Sequence, residues 1–183
     1  LNSPETPLFD KGRNLYNHQR AREAAGKGHD LIVAEGYMDV IALSEAGFPA
    51  VVAPLGTAVT PDQLQLMWRM APEPIIALDG DKAGIRAAMR VIDLALPLLQ
   101  AGKTVRFAVL PDGLDPDDLI RKQGAKAMQA VLSAAMPMVR LLWQRATEGK
   151  VFDSPERRAA LDADLREQVK KIADPSVKHH YEE

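Results

Sequence analysis

No cysteine occurs in the 183 residues. Disulfides and thiolate zinc sites are therefore excluded from this segment, while oxygen-donor metal sites are not. No apolar run approaches the roughly 20 residues that a membrane helix needs, and no secretory leader is visible. Positive charge is not in excess: 23 Lys and Arg face 25 Asp and Glu, a formal net charge of −2. That excludes a global field able to gather nucleic acid, so any such contact must come from local basic patches. The chain starts at Leu1 rather than at methionine, and a helical pattern is cut at Tyr181-Glu182-Glu183. We read it as a piece of a longer cytosolic protein.

What the sequence does have is acid in particular places. Glu35 closes the apolar run Leu31-Ile32-Val33-Ala34, and Asp79 closes Ile75-Ile76-Ala77-Leu78. Asp115 and Asp117 follow a third run, Val105 to Leu110. Each run reads as a buried strand, and each is followed by a helical pattern. Alternation of this kind predicts an α/β fold with parallel pairing and right-handed crossovers. Ligands of such sheets bind outside the carboxyl ends of the strands. Glu35, Asp39, Asp79, Asp81, Asp115 and Asp117 are thus expected on one sheet edge.

The elements between them are legible too. Ala50 to Ala53 reads as a second strand, making about four in all. Thr60-Pro61 predicts a helix start, with threonine as N-cap and proline in the first turn. Leu64, Met67 and Trp68 form its buried face, and Ile85, Ala88, Met89 and Ile92 recur at helical spacing in the next helix. From about residue 124 the strand signals stop. Helices are expected around Met128, Val139, Leu161 and Asp174-Pro175. The division we expect is a connector at 1–29, a sheet-based unit at 30–123 and a small helical subdomain at 124–183.

Each acid has a bland explanation. Asp81 and Asp115 suit helix N-caps, while Asp39 and Asp117 suit first helical turns, where a negative charge complements the dipole. Glu35 and Asp79 resist that explanation, because a carboxylate directly after a buried strand has no capping duty. Taken together, the acids raise an energetic problem. Two carboxylates about 4 Å apart repel by roughly 4 kcal/mol at an effective dielectric near 20, and a whole domain is stable by only about 5–15 kcal/mol. Either the groups splay apart or protons or cations compensate. Mg²⁺ prefers such hard oxygen donors and completes its shell with water and phosphate oxygens. Taken alone, Lys11, Arg13 and Asn14 read as a solvated basic turn, and Lys82 as an exposed lysine at a helix start.

Three segments together resemble the TOPRIM core of DnaG-type bacterial primases: Glu35-Gly36-Tyr37-Met38-Asp39-Val40, Asp79-Gly80-Asp81-Lys82-Ala83-Gly84, and Leu110-Pro111-Asp112-Gly113-Leu114-Asp115-Pro116-Asp117. Asn2-Ser3-Pro4-Glu5-Thr6-Pro7 and Lys11-Gly12-Arg13 are similar to that family's segment just before the core. The resemblance implies a TOPRIM-like parallel sheet flanked by helices. It also implies an enzyme that makes short RNA primers from NTPs on a single-stranded DNA template at the bacterial replication fork. Glu35, Asp79 and Asp81 would be its catalytic and metal-binding set, with Asp39, Asp115 and Asp117 completing a rim that holds Mg²⁺ or, in its place, Mn²⁺. Whether Glu35 ligates metal or takes a proton stays open. Lys11, with Arg13 and Asn14 as neighbours, would hold the template or the RNA–DNA hybrid, and Lys82 a phosphate. Zinc is expected only in a missing N-terminal module. The replicative helicase is expected to bind through a missing C-terminal domain. The fragment itself is expected to be monomeric, with no membrane contact.

Three rivals stand beside this reading. Another TOPRIM enzyme, a topoisomerase or a nuclease, is the nearest, and the topoisomerase would need a nucleophilic tyrosine that Tyr16, Tyr37 and Tyr181 do not obviously supply. A metal- and nucleic-acid-binding module would lack turnover in isolation. A magnesium-dependent phosphatase would use Asp79 as nucleophile but leave Glu35 and the second acidic pair unexplained.

Overall fold

A computed structural model describes residues 4 and 6–183; the extended reading of residues 1–3 and 5 lies outside the described residues. The strands are β1 (Ile32–Val33), β2 (Val51–Val52), β3 (Ile75–Gly80), β4 (Arg106–Asp112) and β5 (Met136–Pro137). The helices are α1 (His18–Gly26), α2 (Tyr37–Glu45), α3 (Pro61–Met70), α4 (Lys82–Ala95), α5 (Pro116–Gln123), α6 (Ala125–Ser133), α7 (Met138–Thr147), α8 (Pro155–Val169) and α9 (Pro175–Glu182). The sheet order is β2-β1-β3-β4-β5, and the first four strands are parallel.

Alternation along the strands divides the core in two. Val33, Val52, Ile76, Leu78 and Phe107 point to one face, where α1, α3, α4 and α7 pack. Ile32, Val51, Ile75, Ala77 and Ala108 point to the other, under α2, α5 and α6. This is the two-residue period of a strand applied to a sheet covered on both sides, and it explains the continuous apolar runs. Val169 at the end of α8 and Ile172 beyond it join the first of these clusters.

The strand order sets the position of the site. From β1 the chain steps outward to β2, and from β3 it steps the opposite way to β4. With crossovers of one hand, those opposite steps carry α2 and α4 to opposite faces. A crevice opens between β1 and β3 where the two helices part, the usual ligand position in such sheets. Glu35 follows β1 and Asp79 lies in β3, so both stand at this point.

One expectation needs correction: strands do not stop at residue 124. β5 runs antiparallel to β4, pairing Arg106 with Pro137 and Phe107 with Met136. It has two residues, one of them proline, so no period is available to read from the sequence. Its anchor is partly a side chain, since Arg106 Nη2 donates to the Ala135 carbonyl at 2.9 Å. At the opposite edge Tyr16 N donates to Ala53 O at 2.8 Å, and Asn17 Nδ2 to Val51 O at 3.0 Å. The N-terminal segment thereby covers what would be a free strand edge. Ile85 also departs from expectation, being 39% exposed while Ala88 and Ile92 are buried.

Two glycines are demanded by packing at the end of β3. A Cβ on Gly80 would lie 2.0 Å from the Pro111 carbonyl oxygen, and one on Gly84 would lie 2.2 Å from that of Asp79. Gly36 is under no such pressure: only Asp39 Oδ2 comes near its Cβ position, at 3.9 Å. Gly84→Ala is expected to lower stability by roughly 1–3 kcal/mol through overpacking against backbone. Gly26→Ala, with nothing within 4 Å at the end of α1, should be neutral or stabilising. Thermal melts of both variants check the contrast.

Candidate functional site

Asp79 is the centre of the acidic edge. Burial raises its pKa first, and the charges of Glu35, Asp39, Asp115 and Asp81 raise it further, to about 7. Four carboxylates, two from the β1–α2 segment, one from the start of α5 and one from its own turn, are therefore near enough to act on it. Its Oδ1 is buried and has no hydrogen-bond partner among the described residues. Few native buried polar atoms are left so, and each calls for an explanation.

Asp39 sits in the first turn of α2, 8% exposed. Burial and the nearby Asp115 push its pKa up to about 6. The backbone N–H groups of Asp117 and Gly36 counter this by donating to the carboxylate; the Asp117 bond to Oδ1 measures 3.4 Å. Asp39 thus ties α2 to α5 while staying within reach of the acidic centre.

Asp81 and Asp115 do what the bland reading expects, but with one oxygen each. Asp81 Oδ1 caps α4 by accepting from Gly84 N at 2.7 Å, and Asp115 Oδ1 caps α5 by accepting from Asp118 N at 2.7 Å. Capping and ligand binding are therefore not exclusive, since a carboxylate carries two acceptor oxygens. Asp117 lies in the first turn of α5. Glu35 is exposed at the mouth of the β1–β3 crevice. The turn after β3 is closed by backbone bonds from Asp81 N to Asp79 O, 2.9 Å, and Gly80 N to Leu114 O, 3.2 Å. These bonds hold the β3 and β4 loops together, and with them the aspartates.

The donor set is hard oxygen throughout, with one orphaned carboxylate atom and one carboxyl that holds its proton near neutrality. That chemistry fits a hard divalent cation. Among the described residues no three His, Cys, Asp or Glu side chains form a ready-made metal cage. A cation here would draw on splayed acids, with water or phosphate oxygens filling the rest of its shell, as Mg²⁺ usually does.

The basic segment leads into Tyr16, whose ring lies 6.2 Å from that of Tyr37 in α2, and it is fixed by a residue that sequence reading did not single out. Gln63 of α3 is fully buried. Its Nε2 donates to the carbonyls of Lys11 and Asn14 at 3.0 and 2.8 Å. Its Oε1 accepts from Thr60 N at 3.0 Å, completing a capping box with the Thr60 hydroxyl. Thr60 Oγ1 in turn donates to the Gly12 carbonyl at 2.5 Å. Thr60 followed three residues on by glutamine is the signal that could have found the box. The longer reach to Lys11 and Asn14 has no local signal. Arg13 pairs with Asp10 at 3.4 Å and Asp62 at 3.5 Å, and Asn14 Nδ2 donates to the Asp10 carbonyl at 2.7 Å. Lys11 makes no ion pair among the described residues. His179 and His180 lie exposed at the end of α9 beside Glu183.

Two outcomes follow from these contacts. Asp79 titrates near 3.8 unfolded and near 7 folded, so the folded state binds more protons between those values. In metal-free buffer, stability should fall as pH rises from about 4 to 7. Asp79→Asn should flatten this slope and add about 1–2 kcal/mol at pH 8, discounted for the solvent reaching the group; denaturant melts across pH measure it. Gln63→Leu leaves two carbonyls unpaired and should lower stability by roughly 2–4 kcal/mol, with faster hydrogen exchange at residues 11–17.

Comparison with known proteins agrees with this geometry. Residues 29–109 match the Toprim domain family, and residues 142–183 match the DnaB-helicase binding domain of primase. The second match falls within the chain, whereas sequence reading placed the domain that binds the helicase wholly outside it; α7–α9 carry no motif that would have announced the match. DNA primase of Rickettsia felis is 42% identical over 181 residues, and that of Escherichia coli K12 is 44% identical over 161. These matches take in 99% and 88% of this chain but 30% and 28% of the relatives, so the chain spans less than a third of their length. The DnaG catalytic core superposes with a TM-score of 0.90 at 38% identity, and a DNA primase domain from Pseudomonas aeruginosa with 0.91 at 38%. Each covers 99% of this chain, which in turn covers 58% and 57% of those structures. A DnaG catalytic domain bound to single-stranded DNA gives 0.89 at 38% identity. With the acidic edge at the β1–β3 switch and these likenesses along nearly its whole length, the chain belongs to the DnaG-type bacterial primases, as a segment containing the Toprim part of their catalytic core.

Proposed function

We propose that this segment supplies the acidic catalytic centre for RNA primer synthesis on single-stranded DNA, a nucleotidyl transfer from NTPs. The observation that carries the reading is Asp79: a buried, unpartnered oxygen on a carboxyl that burial and then four neighbouring acids hold protonated up to about pH 7. Such a group is poised to exchange its proton for a divalent cation. Magnesium is the ion we assign, with Mn²⁺ able to replace it. Asp79, Asp81 and Glu35 would hold it, with Asp39, Asp115 and Asp117 as the surrounding rim. Bound there, the ion would neutralise triphosphate charge and stabilise the oxygens of an in-line displacement.

The chain's own residues have separable tasks. Asp81 offers the oxygen left free by its cap, so its position is set by α4. Asp39 fixes α2 against α5 and keeps the edge closed. Glu35, exposed at the crevice mouth, either ligates metal or accepts the proton of the attacking 3′-hydroxyl. Lys82, in the first turn of α4, is placed for a phosphate of the incoming nucleotide. Lys11 and Arg13, on the segment held by Gln63, would contact template or hybrid phosphates, which position a strand without reading its sequence. The parts at 1–29, 30–123 and 124–183 would then be connector, catalytic unit and helical appendage. The helical appendage would meet the replicative helicase, since α7–α9 fall in the region matched to that binding domain. The setting would be the bacterial cytoplasm at the fork, with zinc confined to a module outside this chain.

Calorimetric titration of Mn²⁺ is expected to give a site that weakens at least tenfold in Asp79→Asn and Asp81→Asn, with affinity rising between pH 5.5 and 7.5 as protons leave. Equal binding by the wild type and both variants removes the metal assignment. In primer synthesis by the whole primase, Asp79→Asn should abolish product. Lys11→Ala should weaken template binding and lower its salt slope by about 0.7.

A further inference from the structure

Helix α4 carries a second charged feature besides its capping aspartate. Lys82, Arg86 and Arg90 recur every fourth residue, so they form one winding stripe along the helix. All three are exposed. None makes an ion pair among the described residues. The acid best placed to neutralise Arg90 is Asp93, one turn on, and it is engaged instead by Arg145 of α7 at 3.2 Å. Three cations thus stay unspent on a chain whose net charge is −2.

The stripe has a direction. It begins at Lys82, next to Asp81, and runs about 12 Å along the helix axis to Arg90. Arg90 also lines a cavity of about 340 Å³ together with Glu35, Thr57, Ile76 and Leu78. Glu35 and Arg90 therefore border one hollow without pairing. The alanines at 83 and 87 lie next to the stripe and leave room for a bulky chain to approach. Each four-residue step advances about 6 Å, comparable to the step between successive phosphates of an extended strand.

Resting on the proposed primer synthesis, we propose that the α4 stripe is the track for the growing RNA strand, with Arg86 and Arg90 gripping phosphates behind its reacting 3′ end. The strand whose end reacts must lie nearest the catalytic acids, and the stripe starts there. It is also too long for one triphosphate alone. The template strand is left to the Lys11 segment on α3. Contacts of this kind hold a strand regardless of sequence.

The test uses the whole primase carrying Arg86→Gln with Arg90→Gln, and a rescue variant carrying lysine at both positions. Affinity for an RNA–DNA hybrid is expected to fall about tenfold in the glutamine variant, with the salt slope reduced by about 0.7–0.9 per lost contact. Its products should shift to shorter primers, while affinity for single-stranded DNA and the Tm stay as in the wild type. The lysine variant should restore most of the hybrid affinity. Unchanged hybrid affinity and primer length overturn the proposal. An equal loss on single-stranded DNA also overturns it, by giving the stripe to the template. Absence of primer synthesis by the wild type would instead defeat the functional reading on which it rests.

Discussion

Carboxylates repel, and this sheet edge is arranged to keep them together regardless. Asp79 takes the largest share of that repulsion, being acted on by Glu35, Asp39, Asp115 and Asp81. The surrounding backbone leaves it little choice of position. Gly80 is pressed against the Pro111 carbonyl and Gly84 against Asp79's own carbonyl. Asp81 and Asp115 are pinned by the helices they cap. The rigidity that close packing gives elsewhere for stability here holds like charges within electrostatic reach of one another. Perturbed carboxyls gather where function needs them, and this one lies at the point where strand order reverses.

Much of this was legible in the sequence because it rests on short-range rules. The strand cores, the Thr60 cap, the Asp115 cap and the placement of Glu35 and Asp79 after buried runs all follow from spacing and residue type. Convergence of the acids followed from topology, since parallel strands align their carboxyl ends. What escaped depends on contacts far apart in the chain. Gln63 reaches back about fifty residues to hold Lys11 and Asn14, and nothing local distinguishes it from a surface glutamine. β5 is held by an arginine from a neighbouring strand. The proposed metal, nucleic-acid and helicase roles rest on family resemblance, with electrostatics supporting the first of them.

The helical end of the chain is not a free appendage in packing terms. Met138, Leu141 and Leu142 of α7, and Val169 at the end of α8, share one core with Phe107 and Leu78 of the sheet. Arg145 ties α7 to α4 through Asp93 and to α8 through Gln168, at 3.2 and 3.1 Å. The helix that begins at the acidic centre is thus anchored at its far end by the region matched to helicase binding.

Asp81 gives one of its oxygens to the Gly84 N–H at the start of α4. An amide side chain at that position would keep the same acceptor and lose only the charge. Folding and the proposed chemistry are therefore separable at this residue by a single change. A lineage released from selection for turnover could drift into a well-formed but inert relic, and likeness of shape alone would not tell it from a working enzyme.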